Sequence, residues 1–93
     1  MDWNRTYRCA PGFGFRKEAF GGILFHYEGR APDPRLTFVE SPFLIDLLGM
    51  VELAPLEEMV SGARERFSLD PAQEATLRGF FSTLVERQAL VPK

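Results

Sequence analysis

Apolar and polar residues alternate along the first half of the chain. Phe13 and Phe15 interleave with Gly14 and Arg16, the period of a strand with one buried face. Further on, Ile23, Phe25 and Tyr27 point one way while Leu24, His26 and Glu28 point the other. In a third run, Leu36 and Phe38 share one face, and Arg35, Thr37 and Val39 the other. The spacing predicts strands over 7–16 (turned at Pro11-Gly12), 22–28 and 35–39, with Gly21-Gly22 as punctuation. Eight of the twelve aromatic residues lie before position 40.

The period then lengthens to that of a helix. Ser41-Pro42 is a start signal: the hydroxyl caps free N–H groups, and a proline in the first turn gives up no hydrogen bond. A helix is expected over 42–49, with Gly49 ending it. Leu56, Met59, Val60, Ala63 and Phe67 recur at i, i+3, i+4, i+7 and i+11 and predict a helix over 55–67, with Glu57 and Glu58 on its wet side. The third helix, over 71–88, opens with Asp70, Pro71 and Gln73 in the pattern of a capping box. Its apolar stripe is Leu77, Phe80, Phe81, Leu84 and Val85, and Leu90-Val91-Pro92 reads as a short tail.

The expected architecture is therefore α+β, a three-stranded antiparallel meander followed by three helices that cover one face. A meander leaves an outer strand without a neighbour. The chain runs from 35–39 directly into a helix, which makes that strand the candidate border. Its unpartnered N–H and C=O groups suit it to accept a foreign peptide as a further strand, although a short edge strand also serves as no more than an edge. Pairing of this border between copies, or a strand swap, would make a homodimer.

Length and charge narrow the function. A chain of 93 residues fits one domain with a modest core. The formal net charge of −2 argues against nucleic-acid binding, which needs a basic stripe. Residues 1–40 carry six Lys/Arg and five Asp/Glu, and residues 41–93 carry five and eight, so neither half is strongly basic. Apolar runs fall far short of a membrane span, and Met1-Asp2-Trp3-Asn4-Arg5 lacks the apolar core of a signal peptide. With Cys9 as the single cysteine, a reducing, cytoplasmic setting is expected.

The residues offer little catalytic chemistry. His26 is the single histidine, so neither it nor Cys9 has companions for a metal site. Cys9 needs an activating base to be a nucleophile and otherwise reads as a small buried hydrophobe. Glu57 and Glu58 are sequence neighbours and do not face each other on a helix. No cofactor, no metal and no enzymatic activity are expected.

Several segments resemble a known family. Tyr7-Arg8-Cys9-Ala10-Pro11-Gly12-Phe13-Gly14-Phe15-Arg16 is similar to the opening of PqqD-like domains, the RiPP recognition elements. Phe20-Gly21-Gly22-Ile23-Leu24-Phe25-His26-Tyr27 and Arg35-Leu36-Thr37-Phe38-Val39-Glu40-Ser41-Pro42 resemble the mycofactocin-system peptide chaperones more closely, as does the ending Gln88-Ala89-Leu90-Val91-Pro92. The resemblance implies a winged-helix-like fold and a peptide chaperone. Such a protein holds the leader of a ribosomally made precursor against the third strand, in a groove shared with the third helix. It then presents the leader to a radical S-adenosylmethionine maturase.

Carried onto this chain, the resemblance places peptide binding on Arg35, Leu36, Thr37, Phe38 and Val39, facing Leu77, Arg78, Phe81 and Leu84. Proline at Thr37 is expected to remove a donor from the docking edge. The segment Gly29-Arg30-Ala31-Pro32-Asp33-Pro34 is longer than a tight hairpin, which bears on the register of the third strand. The competing reading is a winged-helix DNA-binding regulator. Its recognition helix should be basic, whereas the third helix mixes Glu74 and Glu86 with Arg78 and Arg87.

Overall fold

The computed structural model describes residues 1–28 and 32–93. The chain forms β1 (Tyr7–Cys9), β2 (Phe13–Glu18), β3 (Gly21–His26), β4 (Arg35–Val39), α1 (Pro42–Leu48), α2 (Leu56–Phe67), α3 (Pro71–Glu86) and β5 (Leu90–Pro92). The expected α+β order, with a three-stranded antiparallel sheet and three helices, is observed, the sheet running β2-β3-β4. Positions 29–31 of the long 29–34 loop lie outside the described residues. The β3–β4 pairing beyond it is regular, from His26↔Arg35 to Gly22↔Val39.

The structure divides the expected 7–16 strand between two sheets. At Gly12, whose φ is +85°, the chain turns. β1 leaves the three-stranded sheet and pairs with β5, from Tyr7↔Pro92 to Cys9↔Leu90. The segment read as a tail is thus a strand. Leu90 is buried, and the Ala10 N–H donates to the Ala89 carbonyl at 2.8 Å. A three-residue run is too short to show alternation, and its partner lies some eighty positions away.

The helix signals act as expected with one exception. Asp70 Oδ1 accepts from the Gln73 N–H at 2.8 Å, and Gln73 Oε1 accepts from the Asp70 N–H at 2.9 Å, closing the capping box on α3. Ser41 Oγ accepts from the Leu44 N–H at 3.4 Å. Gly49, however, keeps a right-handed conformation with φ −64°. Its left-handed freedom is not what ends α1. The chain passes instead into tight i→i+3 turns, with Met50 bonded to Leu47 and Val51 to Leu48, which bring Val51 into the core.

The core lies between the inner face of the sheet and the helices. Phe13, Leu24 and Val39 meet Ile45, Leu48, Leu56, Val60, Leu77, Phe81, Leu84 and Leu90 there. Gly22 lets α1 approach, since a Cβ at that position would lie 2.6 Å from Ile45 Cγ1 and 2.8 Å from the Arg16 carbonyl oxygen. The outer face of the sheet is also apolar. Ile23 and Phe25 are half-buried, whereas Leu36 is 55% and Phe38 65% exposed, with the Phe20 ring 6.3 Å from that of Phe38.

The N-terminal segment caps α2. Pro55 supplies no side-chain cap, and the Leu56 and Glu57 N–H groups donate instead to the Arg5 and Trp3 carbonyls at 3.1 and 2.8 Å. The guanidinium of Arg78 stands 4.9 Å above the Trp3 ring and donates to both carboxylate oxygens of Glu57 at 2.8 and 3.0 Å. It also donates to Glu74 at 3.3 Å. The hydrogen bond from Arg78 holds the Glu57 carboxyl below its ordinary value of 4.5.

Gly22→Ala should therefore lower stability by about 1–3 kcal/mol, because the added methyl group has no room beneath Ile45. Urea denaturation monitored by circular dichroism measures it. Glu57, with its folded-state pKa depressed, contributes stability above 4.5 that is lost as pH falls through the lower folded value. Glu57→Gln should flatten the pH dependence of stability in that acidic window and leave its slope near neutrality unchanged.

Candidate peptide-binding groove

The hydrogen-bond parity of β3 decides which backbone groups of β4 are free. The Tyr27 N–H donates to the Gly12 carbonyl at 2.9 Å and continues the β2–β3 register of Phe13↔His26. Successive residues of a strand turn their N–H and C=O to opposite sides. Ile23 and Phe25 therefore bond across to β2, while Gly22, Leu24 and His26 bond across to β4. On β4 these occupy Val39, Thr37 and Arg35. The N–H and C=O groups of Leu36 and Phe38 point away from the sheet, along an edge with no further strand among the described residues.

The side chains follow the same parity. Arg35, Thr37 and Val39 share the inner face with His26, Leu24 and Gly22. Leu36 and Phe38 share the outer face with Phe25 and Ile23. The five edge residues thus divide: two offer backbone to the free side, and three turn side chains toward the helices. Thr37 spends its N–H within the sheet, so the donors open to a docked strand belong to Leu36 and Phe38.

A groove runs between β4 and α3. Helix α3 packs chiefly on α2 and β5, while β4 packs on β3 and α1. The groove is a narrow crevice of about 20 Å³ lined by Phe13, Leu24, His26, Glu28, Arg35, Thr37, Leu84 and Arg87. Glu28 stands 3.4 Å from His26 Nδ1 and 3.7 Å from the Arg35 guanidinium, and the His26 ring meets Phe13 edge-on at 5.6 Å. Separately, between α1 and α3 and without a β4 residue in its lining, Ser41, Phe43, Leu44, Leu69, Gln73, Thr76 and Leu77 border an apolar hollow of about 260 Å³. A hollow of about 380 Å³ between α1 and α2, with Phe43, Met50, Met59 and Phe67 beside Asp46, Glu58 and Arg66 in its lining, has no strand residue around it and so no sheet edge.

The third-helix residues expected in the groove are dispersed. Leu77 floors the apolar cavity and Leu84 the charged crevice, both deeply buried. Phe81 is fully buried in the core. Arg78 is bound to Glu57, Glu74 and Trp3, away from both the crevice and the hollow. Sequence reasoning missed Gln73 and Thr76, which line the apolar hollow from α3, and Arg87 just past its end, which lines the crevice. A signal for them existed: positions 73, 76, 77, 80, 84 and 87 form one helical stripe, of which only the apolar members were read as a face.

The remaining candidate groups are accounted for by packing. Burial pushes the Cys9 thiol above its ordinary value, and the nearby Glu52 carboxylate pushes it further the same way, so the reactive thiolate is suppressed. Among the described residues no cluster of three or more His, Cys, Asp or Glu could hold a metal ion. Among them, too, no helix is long and apolar enough to cross a membrane.

No curated protein and no solved structure matches the chain. The family model described as the peptide chaperone MftB family matches residues 6–91, from just before β1 to within β5. The chain therefore belongs to the peptide chaperone MftB family, and its partner is a peptide.

Proposed function

We propose that this chaperone holds the leader of a ribosomally synthesised precursor as an added strand on β4 and presents it to a radical S-adenosylmethionine maturase in mycofactocin biosynthesis. The outward N–H and C=O groups of Leu36 and Phe38, beside an open groove, are the observation that carries this reading. A docked strand satisfies those groups, and its alternate side chains enter the groove lined by Arg35, Thr37 and Leu84. The chaperone adds no catalytic group and no cofactor; the chemistry belongs to the maturase, and the setting is the cytoplasm. A homodimer paired through β4 would consume the same backbone groups, so the leader and a second copy compete for one edge.

Substitution at the edge tests this. Leu36→Pro removes an outward donor at a position where an edge strand tolerates proline. It should weaken binding of the synthetic leader roughly tenfold or more relative to Leu36→Ala, the worth of about one hydrogen bond. Isothermal titration calorimetry on the two variants measures the difference, and equal affinities would show that β4 is not the docking edge. Thr37→Pro breaks a bond inside the sheet and should show itself as lost stability.

A further inference from the structure

Native sheets guard a free edge with charged side chains, proline, a bulge or covering chain. β4 has little of this. Its pairing with β3 is regular from His26↔Arg35 to Gly22↔Val39, so it holds no bulge, and no further strand lies beside it among the described residues. It contains no proline, and Arg35, at its first position, is its one charge. Four of its five residues are exposed, Leu36 and Phe38 over more than half of their surface. Open backbone donors and acceptors beside large apolar side chains make an edge that pairs with whatever edge it meets. For the free protein the edge at hand is that of a second copy.

Parity fixes how two copies meet. Only Leu36 and Phe38 turn N–H and C=O outward. In an antiparallel pair, residues that exchange both bonds stand directly opposite each other. Setting Leu36 opposite Phe38 of the second copy satisfies all of these groups in both chains and puts a two-fold axis through Thr37. A shift of one residue would set them against Thr37, whose own groups are spent inside the sheet. Centring the axis on Leu36 would bring Phe38 opposite Pro34, which has no N–H. Centring it on Phe38 would bring Leu36 opposite Glu40, past the end of the strand. With Thr37 on the axis, Leu36 packs beside Phe38 of the other copy on the outer face and the two Thr37 side chains meet on the inner face. Arg35 stands opposite Val39, and the two copies of Arg35 fall at opposite ends of the pair, so no like charges oppose.

We infer that without a leader this chain rests as a two-fold dimer, β4 against β4 with Thr37 on the axis, and that the leader enters by displacing the second copy. The inference rests on the strand docking proposed above and adds how that site is regulated. The interface is confined to one short strand from each copy, which sets it among weak, transient contacts rather than stable dimers. Self-pairing of that strength covers the edge in the free protein and yields to a leader that makes the same backbone bonds.

Sedimentation of the wild-type protein tests the dimer, and cysteine cross-linking tests its register. At protein concentrations up to roughly 1 mM, the weak end of the affinity scale, a monomer–dimer equilibrium should appear, and excess synthetic leader should return it to monomer. In a Cys9→Ala background, Thr37→Cys places two thiols on the axis at a non-hydrogen-bonded pair, where Cα atoms stand about 4.5 Å apart, within reach of a disulfide. Leu36→Cys faces Phe38 instead and lies about 7–8 Å from its own copy, too far to close. Under mild oxidation Thr37→Cys should therefore give a linked dimer at least about tenfold faster than Leu36→Cys, and leader should slow it. A wild-type chain that stays monomeric throughout, or equal linking by the two variants, would overturn the inference; leader-induced shifts of the Leu36 and Phe38 amides would then leave strand docking intact. Fast linking at Thr37 that a bound leader does not slow would leave the resting dimer standing and overturn both its displacement and the docking of the leader on β4.

Discussion

Backbone parity on the central strand governs this molecule. Each residue of β3 can bond to one side only. One hydrogen bond, from Tyr27 to Gly12, therefore settles the direction of the others along the strand. From it follow the three β4 residues spent inside the sheet and the two left facing outward. The same parity sends Leu36 and Phe38 to the outer face and Arg35, Thr37 and Val39 to the groove. A slip of one residue would exchange all of these roles at once.

Around that sheet the fold leaves one side of β4 open. Gly22 admits α1 against the inner face by lacking a Cβ, and α1 then occupies the space beside the end of β4. Helix α3 is held from other directions. Its start is fastened by the capping box, its flank by Arg78 on Glu57 and Trp3, and the chain beyond its end by the pairing of β5 with β1. With β4 and α3 both fixed by contacts elsewhere, a peptide docked as proposed on β4 would meet a surface largely organised in advance.

The site has two apolar aspects with different consequences. Leu77 and Leu84 are buried and belong to the core. Leu36 and Phe38 lie exposed with Phe20 on the outer face, where the cost of hydrating apolar surface is borne by the free protein. An added strand would extend that face together with the groove, since strand residues alternate between the two.

The helices, the three-stranded sheet and the place of the 35–39 strand at one of its two edges were legible in the chain itself. Capping residues, helical period and strand alternation are local signals, and Ser41, Asp70, Gln73 and the 35–39 run carry them within a few residues. The β1–β5 pair was not legible, because two three-residue strands become recognisable only when folding joins the ends of the chain. Nor could the period tell that Arg78 would turn to Trp3 and Glu57 while Arg87 turned to the crevice; one lies within α3 and the other just past its end, nine residues on, and their neighbours come from distant segments. The sequence by itself determined which helices and which sheet strands form and that 35–39 lies at an edge, through short-range sterics and hydrogen bonding. Only the tertiary structure decided which backbone groups that border offers and which charges face them, since register and helix rotation are set by contacts between residues far apart in the chain.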